Sequence, residues 1–191
     1  ISVKSSWIQT PEDVMKSKIL ILPGVGAFKH GMKGLRERKL IDAIKYKASI
    51  GTPLLGICLG MQLLFTESEE NGVSKGLNFI PGTVRKLKNT NSRLKIPHVG
   101  WNKINLEKKI LKNSIFKKIK SQEDYFYFIH SFFAKPDNKD NVVATTNYGK
   151  NKFCSIAQNN NIFGFQFHPE KSASAGLDLI KFFLYKFVNK N

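Results

Sequence analysis

The segment PLLGICLGMQLLF, Pro53 to Phe65, constrains the fold more than any other stretch of the chain. An apolar run from Thr52 to Ile57, suited to a buried strand, breaks at Gly56-Ile57-Cys58-Leu59-Gly60 and reads on as a helix from Leu59 to about Glu67. A junction of the same kind lies upstream. There the β-branched run KILIL, residues 18–22, ends at Pro23-Gly24-Val25-Gly26. Between the two, residues 34–48 place Leu40, Ile41, Ile44 and Ala48 at helical spacing. Strand, helix, strand, helix in this order predicts an α/β fold with a parallel sheet covered by helices.

The middle of the chain changes character. FIPGTVRKL, KIPHVGWNKINL, DYFYFIHSFFA and VVATTNYG are short strand-like pieces separated by turn residues. They predict mixed or antiparallel strands added to the parallel core. NIFGFQFHPE reads as a further strand, and Gly176 to Asn189 carries Leu177, Ile180, Leu184 and Phe187 on one helical stripe. With no repeat, long linker or low-complexity segment, residues 1–191 read as one domain.

No apolar run reaches the ~18 residues of a membrane helix, so no membrane partner is expected. Two cysteines, Cys58 and Cys154, are too few for a disulfide framework and suit a reducing cytoplasm. The net charge of +17 raises the question of an anionic partner. The lysines are scattered among many Asn and Ile, however, and no zinc-finger spacing or RNA-recognition signature appears. The charge reads first as composition and second as a basic docking face, and no nucleic-acid partner is expected. No metal-ligand spacing or phosphate-binding glycine motif appears either, so no metal and no cofactor are expected.

Glycine on both sides of Cys58 calls for an explanation that a core cysteine does not supply. G-x-C-x-G at 56–60 matches the form of a nucleophile elbow, a strained strand-to-helix turn beside which side chains would collide with neighbouring elements. The helix beginning after Cys58 is expected to favour thiolate over thiol. A cysteine nucleophile needs a base, and the base needs an orienting group. Of His30, His98, His130 and His168, the best placed is His168, at the end of FGFQFHPE. If extended geometry continues through Pro169, Glu170 points the same way and accepts a hydrogen bond from one ring nitrogen. In LPGVG, Leu22 to Gly26, the glycines at 24 and 26 allow the Val25 N–H to turn inward beside that of Leu59, forming a pair of oxyanion donors. Taken singly, each piece also has a plain reading: a buried cysteine, a surface His-Pro-Glu turn, an ordinary strand-to-helix loop.

Together GICLGMQ, QFHPEKS and LPGVGAF resemble the class I (triad) glutamine amidotransferases, and KIPHVGWN and YFYFIHSF narrow the resemblance to the glutaminases of imidazole glycerol phosphate synthases. The resemblance covers nearly the whole chain. It implies a flavodoxin-like α/β fold whose mainly parallel sheet carries added antiparallel strands. The family opens with a strand and helix of roughly thirty residues ahead of the position of Ile1, so this unit is expected to be missing here. The resemblance further implies that Cys58 attacks the side-chain amide of L-glutamine, that His168 moves the proton and that Glu170 orients it. Val25, Leu59 and Gly24 match the oxyanion hole. Gln62 and Glu70 match residues that hold the substrate, and His130 and Ser131 match positions whose backbone meets its carboxylate. Pro97, Trp101, Tyr127 and Lys171 match positions facing a partner synthase subunit with a (β/α)8 barrel, which receives the ammonia. Core packing is an equally ready reading of Trp101 and Tyr127.

Two other readings compete. The same chemistry can serve a synthase that amidates surface sugars, and a chain lacking its first strand can be a non-catalytic subunit that stabilises its partner. A cysteine peptidase on a related fold is weaker, because GMQ and HPEKS point to glutamine.

Overall fold

The structure, a computed structural model, describes residues 3–89, 94–107, 116 and 124–188. Helix α1 (Pro11–Lys16) opens on a capping box in which Thr10 and Asp13 satisfy each other's backbone N–H groups. Strand β1 (Leu20–Gly24) leads into α2 (Phe28–Glu37) and α3 (Leu40–Ser49). The periodicity at 34–48 therefore belongs to two helices. Lys39 adopts a left-handed conformation (φ 58°), and the N–H of Lys39 closes the end of α2 on Arg36. Phe28, Met32 and Leu35 then face the core from α2, and Leu40, Ile44 and Ala48 from α3.

Strand β2 (Leu54–Cys58) passes directly into α4 (Leu59–Leu63). This helix is shorter than its sequence predicts. The carbonyls of Leu63 and Leu64 accept the N–H groups of Leu77, Phe79 and Ile80 at 2.8, 2.8 and 3.1 Å, which draws the chain out of the helix into β3 (Phe65–Ser68). There follow β4 (Ser74–Lys75), β5 (Ile80–Lys86), β6 (His98–Lys103), β7 (Asn105–Leu106), β8 (Tyr125–His130), β9 (Phe132–Pro136), β10 (Val142–Tyr148), β11 (Asn151–Asn159), β12 (Ile162–Phe165) and α5 (Ala173–Val188).

Among the described residues the central sheet has the order β1-β2-β12-β11-β10-β7. β1, β2 and β12 run parallel; β11, β10 and β7 are the added antiparallel strands. One apolar cluster joins Leu20 and Leu54 to α1, α2, α3 and α4, and a second joins Leu55 and Ile57 to the phenylalanines of β8, β12 and α5. The period-two alternation of β2 thus feeds two cores, and both faces of β12 are buried as well. A four-stranded sheet (β4-β3-β5-β9) and the antiparallel ribbon β6-β8 stand beside the main sheet.

The last helix follows its sequence reading at Leu184, which is buried, and at Ile180 and Phe187, which pack partly buried against the second core; Leu177 is exposed, and Gly176, Leu179 and Phe183 join the buried face. A Cβ on Gly176 would overlap the Pro169 carbonyl oxygen, and this close approach turns the Leu179 side of the helix inward. Asn189, where the sequence places the end of this helix, lies outside the described residues.

Candidate active site

Cys58 ends β2 and stands at the N-cap of α4 with φ 53° and ψ −110°, a conformation costing of order 1–3 kcal/mol for a residue with a side chain. The flanking glycines follow from the same turn. A Cβ on Gly56 would lie 2.6 Å from the carbonyl carbon of Gly60, and one on Gly60 would overlap the carbonyl oxygen of Leu22 on β1. The turn is folded so tightly that only hydrogen fits at either place.

The thiol is buried, which pushes its pKa up to about 11; the Leu59 N–H works against the shift, the Glu170 charge adds to it and Lys171 opposes it. The expectation of a stabilised resting thiolate is therefore corrected. Helix α4 has a single turn to offer, and desolvation outweighs it. A base is needed to draw off the proton.

β12 lies against β2 in parallel register, with Phe165 opposite Ile57, so the chain leaving β12 comes out beside Cys58 at the carboxyl ends of both strands. The extended geometry expected through Pro169 is replaced by a 3-10 turn over Pro169–Lys171. The turn still brings the Glu170 Oε1 to 2.7 Å from His168 Nδ1. His168 is 4% exposed, and its Nε2 is buried with no hydrogen-bond partner among the described residues. Its backbone N–H is held by the Tyr127 carbonyl at 2.9 Å. Ser172, missed in the sequence, fixes the turn: its hydroxyl donates to the His168 carbonyl at 2.6 Å and accepts from the Tyr127 N–H at 2.9 Å.

A cleft of about 310 Å³ opens at Cys58, within the range of small-ligand sites. Val25 and Gly26 form one side, Leu59, Gln62 and Glu70 another, and Pro97 with the segment Ile129–Phe132 a third. Gly24 pairs with Cys58 across β1 and β2 and sits close against Leu59; Gly26, with φ 96°, is the one of the two that needs glycine's conformational freedom. Glu70 is held at the wall by the Phe28 N–H, 2.7 Å from Oε2, at the start of α2. Gln62 donates both to the Phe132 carbonyl (2.8 Å) and to Gln166 Oε1 (3.2 Å). The His130 side chain forms a buried pair with His98, and His130 and Ser131 both border the cleft. His168 and Glu170 are not part of the cleft wall.

Trp101, Tyr127 and Lys171 gather elsewhere, on the outer face of the β6-β8 ribbon. Trp101 and Tyr127 face each other across the strands, edge to face at 6.0 Å, and the Lys171 ammonium lies 5.9 Å from the Tyr127 ring. Trp101 is 51% exposed, which removes the core-packing reading, and Val99 and Ile129 extend the same apolar surface. Pro97, grouped with these residues on sequence, lines the cleft.

The described arrangement suits acyl transfer: a strained thiol, an imidazole–carboxylate pair at the neighbouring strand end and a glycine-bracketed turn at the edge of the cleft. Residues 1–187 match the family model described as "Glutamine amidotransferase class-I". The chain is 44% identical over 164 residues to "Imidazole glycerol phosphate synthase subunit HisH" of Chlorobaculum tepidum, covering 86% of this chain and 79% of that protein. It is 44% identical over 183 residues to the protein of the same name from Lacticaseibacillus casei, covering 96% of this chain and 84% of the relative. Among solved structures, one described as "Crystal structure of glutamine amidotransferase" superposes with TM-score 0.70 at 18% identity, over 95% of this chain and 85% of that one. The glutaminase domain of Trypanosoma brucei CTPS with bound acivicin superposes with TM-score 0.63 at 16% identity, over 95% and 75% of the two chains. At these identities the superpositions bear on the fold alone.

Proposed function

The chain belongs to the class-I glutamine amidotransferase family, and on that premise we propose that it is the glutaminase subunit of an imidazole glycerol phosphate synthase in histidine biosynthesis. The observation that carries the reading is the strained Cys58 turn beside the His168–Glu170 pair. The relatives' shared name favours this client over a synthase that amidates surface sugars.

Glutamine enters the cleft with its side-chain amide at Cys58. His168 takes the thiol proton through Nε2, and the sulfur attacks the amide carbon. Leu59 and Val25, with Gly24 positioning the latter, donate N–H groups to the oxyanion. The carbon–nitrogen bond breaks as His168 returns the proton to nitrogen, releasing ammonia and leaving a thioester. Water, deprotonated by His168, attacks the thioester and frees glutamate and the thiol. Glu170 fixes the imidazole tautomer and steadies the imidazolium. Gln62 holds the substrate, Glu70 meets its ammonium, and the backbone at His130 and Ser131 meets its carboxylate.

The ammonia passes to a synthase subunit with a (β/α)8 barrel, against which Trp101, Tyr127 and Lys171 dock with Pro97 at the edge. Aromatic side chains of this kind suit interface anchoring. The pair acts in the cytoplasm, and residues 1–191 form one domain in it. No helix among the described residues is long and apolar enough to cross a membrane.

Labelling tests the site. A glutamine analogue with an electrophilic carbon in place of the side-chain amide is expected to add covalently to Cys58, read by peptide mass. Addition at Cys154, or at neither cysteine, would overturn the assignment.

A further inference from the structure

Gln166 stands directly across the strand pair from Cys58, because Phe165 is in register with Ile57. It is fully buried. Its carboxamide is oriented by the hydrogen bonds around it. Gln62 Nε2 donates to Gln166 Oε1 at 3.2 Å, so the oxygen faces Gln62 and the nitrogen faces the sulfur, with Nε2 3.9 Å from Cys58 Sγ. Reversing the amide would set two N–H2 groups against each other. Gln62 cannot turn instead, because its own nitrogen is tied to the Phe132 carbonyl at 2.8 Å.

That carbonyl is an anchor shared with a second chain of buried groups. His130 Nδ1 lies 2.9 Å from it, His130 Nε2 lies 3.3 Å from His98 Nδ1, and His98 Nε2 lies 3.5 Å from Asn102 Nδ2. A carbonyl only accepts, so Nδ1 of His130 carries hydrogen and its Nε2 accepts. Nδ1 of His98 then donates, and its Nε2 accepts from Asn102. The donors run one way from Asn102 to Phe132, with both imidazoles neutral.

We propose that Gln166 is a further catalytic residue: its carboxamide N–H donates to the Cys58 sulfur and stabilises the thiolate at the moment the proton leaves. The proposal rests on Cys58 being the nucleophile. The thiol form has another partner, the Ile129 carbonyl at 3.9 Å, to which S–H donates. A thiolate has no hydrogen to give that carbonyl and must instead accept. Two N–H donors are in place, Leu59 at the helix start and Gln166 across the sheet. Glu170 and Lys171 are the charged groups acting on the sulfur, and their effects on it are opposed. Once His168 has taken the proton, its imidazolium attracts the thiolate as well; the neutral carboxamide adds a fixed hydrogen-bond donor to the sulfur beside that charge.

The test is the pH dependence of Cys58 alkylation by iodoacetamide in Gln166→Met and Gln166→Glu, with folding checked by thermal unfolding. Loss of a donor to a charged acceptor is expected to shift the dependence upward by about one pH unit. Glutamine turnover should fall about tenfold, with a smaller change in KM. A dependence within 0.2 unit of the parent in a folded variant, on the order of measurement error against the shift expected, would overturn the proposal. Relative to the parent protein, a side-chain amide proton of Gln166 should move upfield in Cys58→Ala, read by NMR. An unmoved resonance also overturns it. If Cys58→Ser retained parental turnover, the reading of Cys58 itself would fail; if only the Gln166 results failed, Cys58 would stand without this donor.

Discussion

At the scale of single residues, the two cysteines separate cleanly. Cys58→Ser is expected to abolish glutamine hydrolysis with the fold intact, because a hydroxyl has no comparable anionic form near neutral pH; parental turnover in the purified variant would contradict this. Cys154 is buried in β11, its thiol donating to the Ile156 carbonyl at 3.2 Å, and burial pushes its pKa well up. Cys154→Ala should cost about 1 kcal/mol of stability and leave turnover unchanged. His168→Ala should remove turnover, whereas Glu170→Gln should leave a measurable remainder, since in the proposed mechanism Glu170 steadies the ring and His168 moves the proton. Equal and total loss in both would give Glu170 a more direct role. The elbow was legible in the sequence because its cause is local: Gly56, Cys58 and Gly60 lie within five positions. Gln166 was not, because its partners Cys58 and Gln62 are 108 and 104 positions away and become neighbours only through the β2–β12 register.

At the scale of elements, the β6-β8 ribbon has two faces with different duties. Inward, burial holds His98 and His130 neutral, with pKa values lowered to about 4 and about 3. Unfolded, both return to near 6.5 and bind protons more readily. Their contribution to stability is therefore complete above about pH 6.5 and is lost as pH falls toward 4 and then 3, each steepening the loss by at most ~1.4 kcal/mol per pH unit. Denaturant melts at pH 7 and pH 5 should show this fall, and His98→Gln should flatten it; a stability independent of pH between those values would contradict the neutral pair. Outward, Trp101→Ala should weaken binding to the synthase subunit by at least tenfold without changing the protein's own melting temperature by more than about 2 °C. Strands were largely legible from β-branched and aromatic runs, and the ends of α2 and α4 were not. Lys39 gives no turn signal, and α4 stops because Leu77, Phe79 and Ile80 claim its last carbonyls from outside the local sequence.

At the scale of the whole molecule, the parallel strands bring Cys58 and the His168 turn out at one end of the sheet, while the ribbon carries the exposed apolar face of Val99, Trp101 and Ile129 past the same cleft. Ile129 belongs to both, as a cleft residue and as part of the exposed apolar face. A chain built this way is expected to couple glutamine hydrolysis to docking. On the proposed mechanism, the Val25 peptide between Gly24 and Gly26 is the element a partner would bias, and one oxyanion donor is worth ~10²–10³ in turnover. The most direct measurement is glutamate release from glutamine by the chain alone, by its complex with the synthase subunit, and by that complex carrying an acceptor analogue, each alongside Cys58→Ser. The account predicts slow release alone, at least hundredfold faster release in the loaded complex, and none from Cys58→Ser in any state. No release in any state, or equal release with and without Cys58, would contradict it.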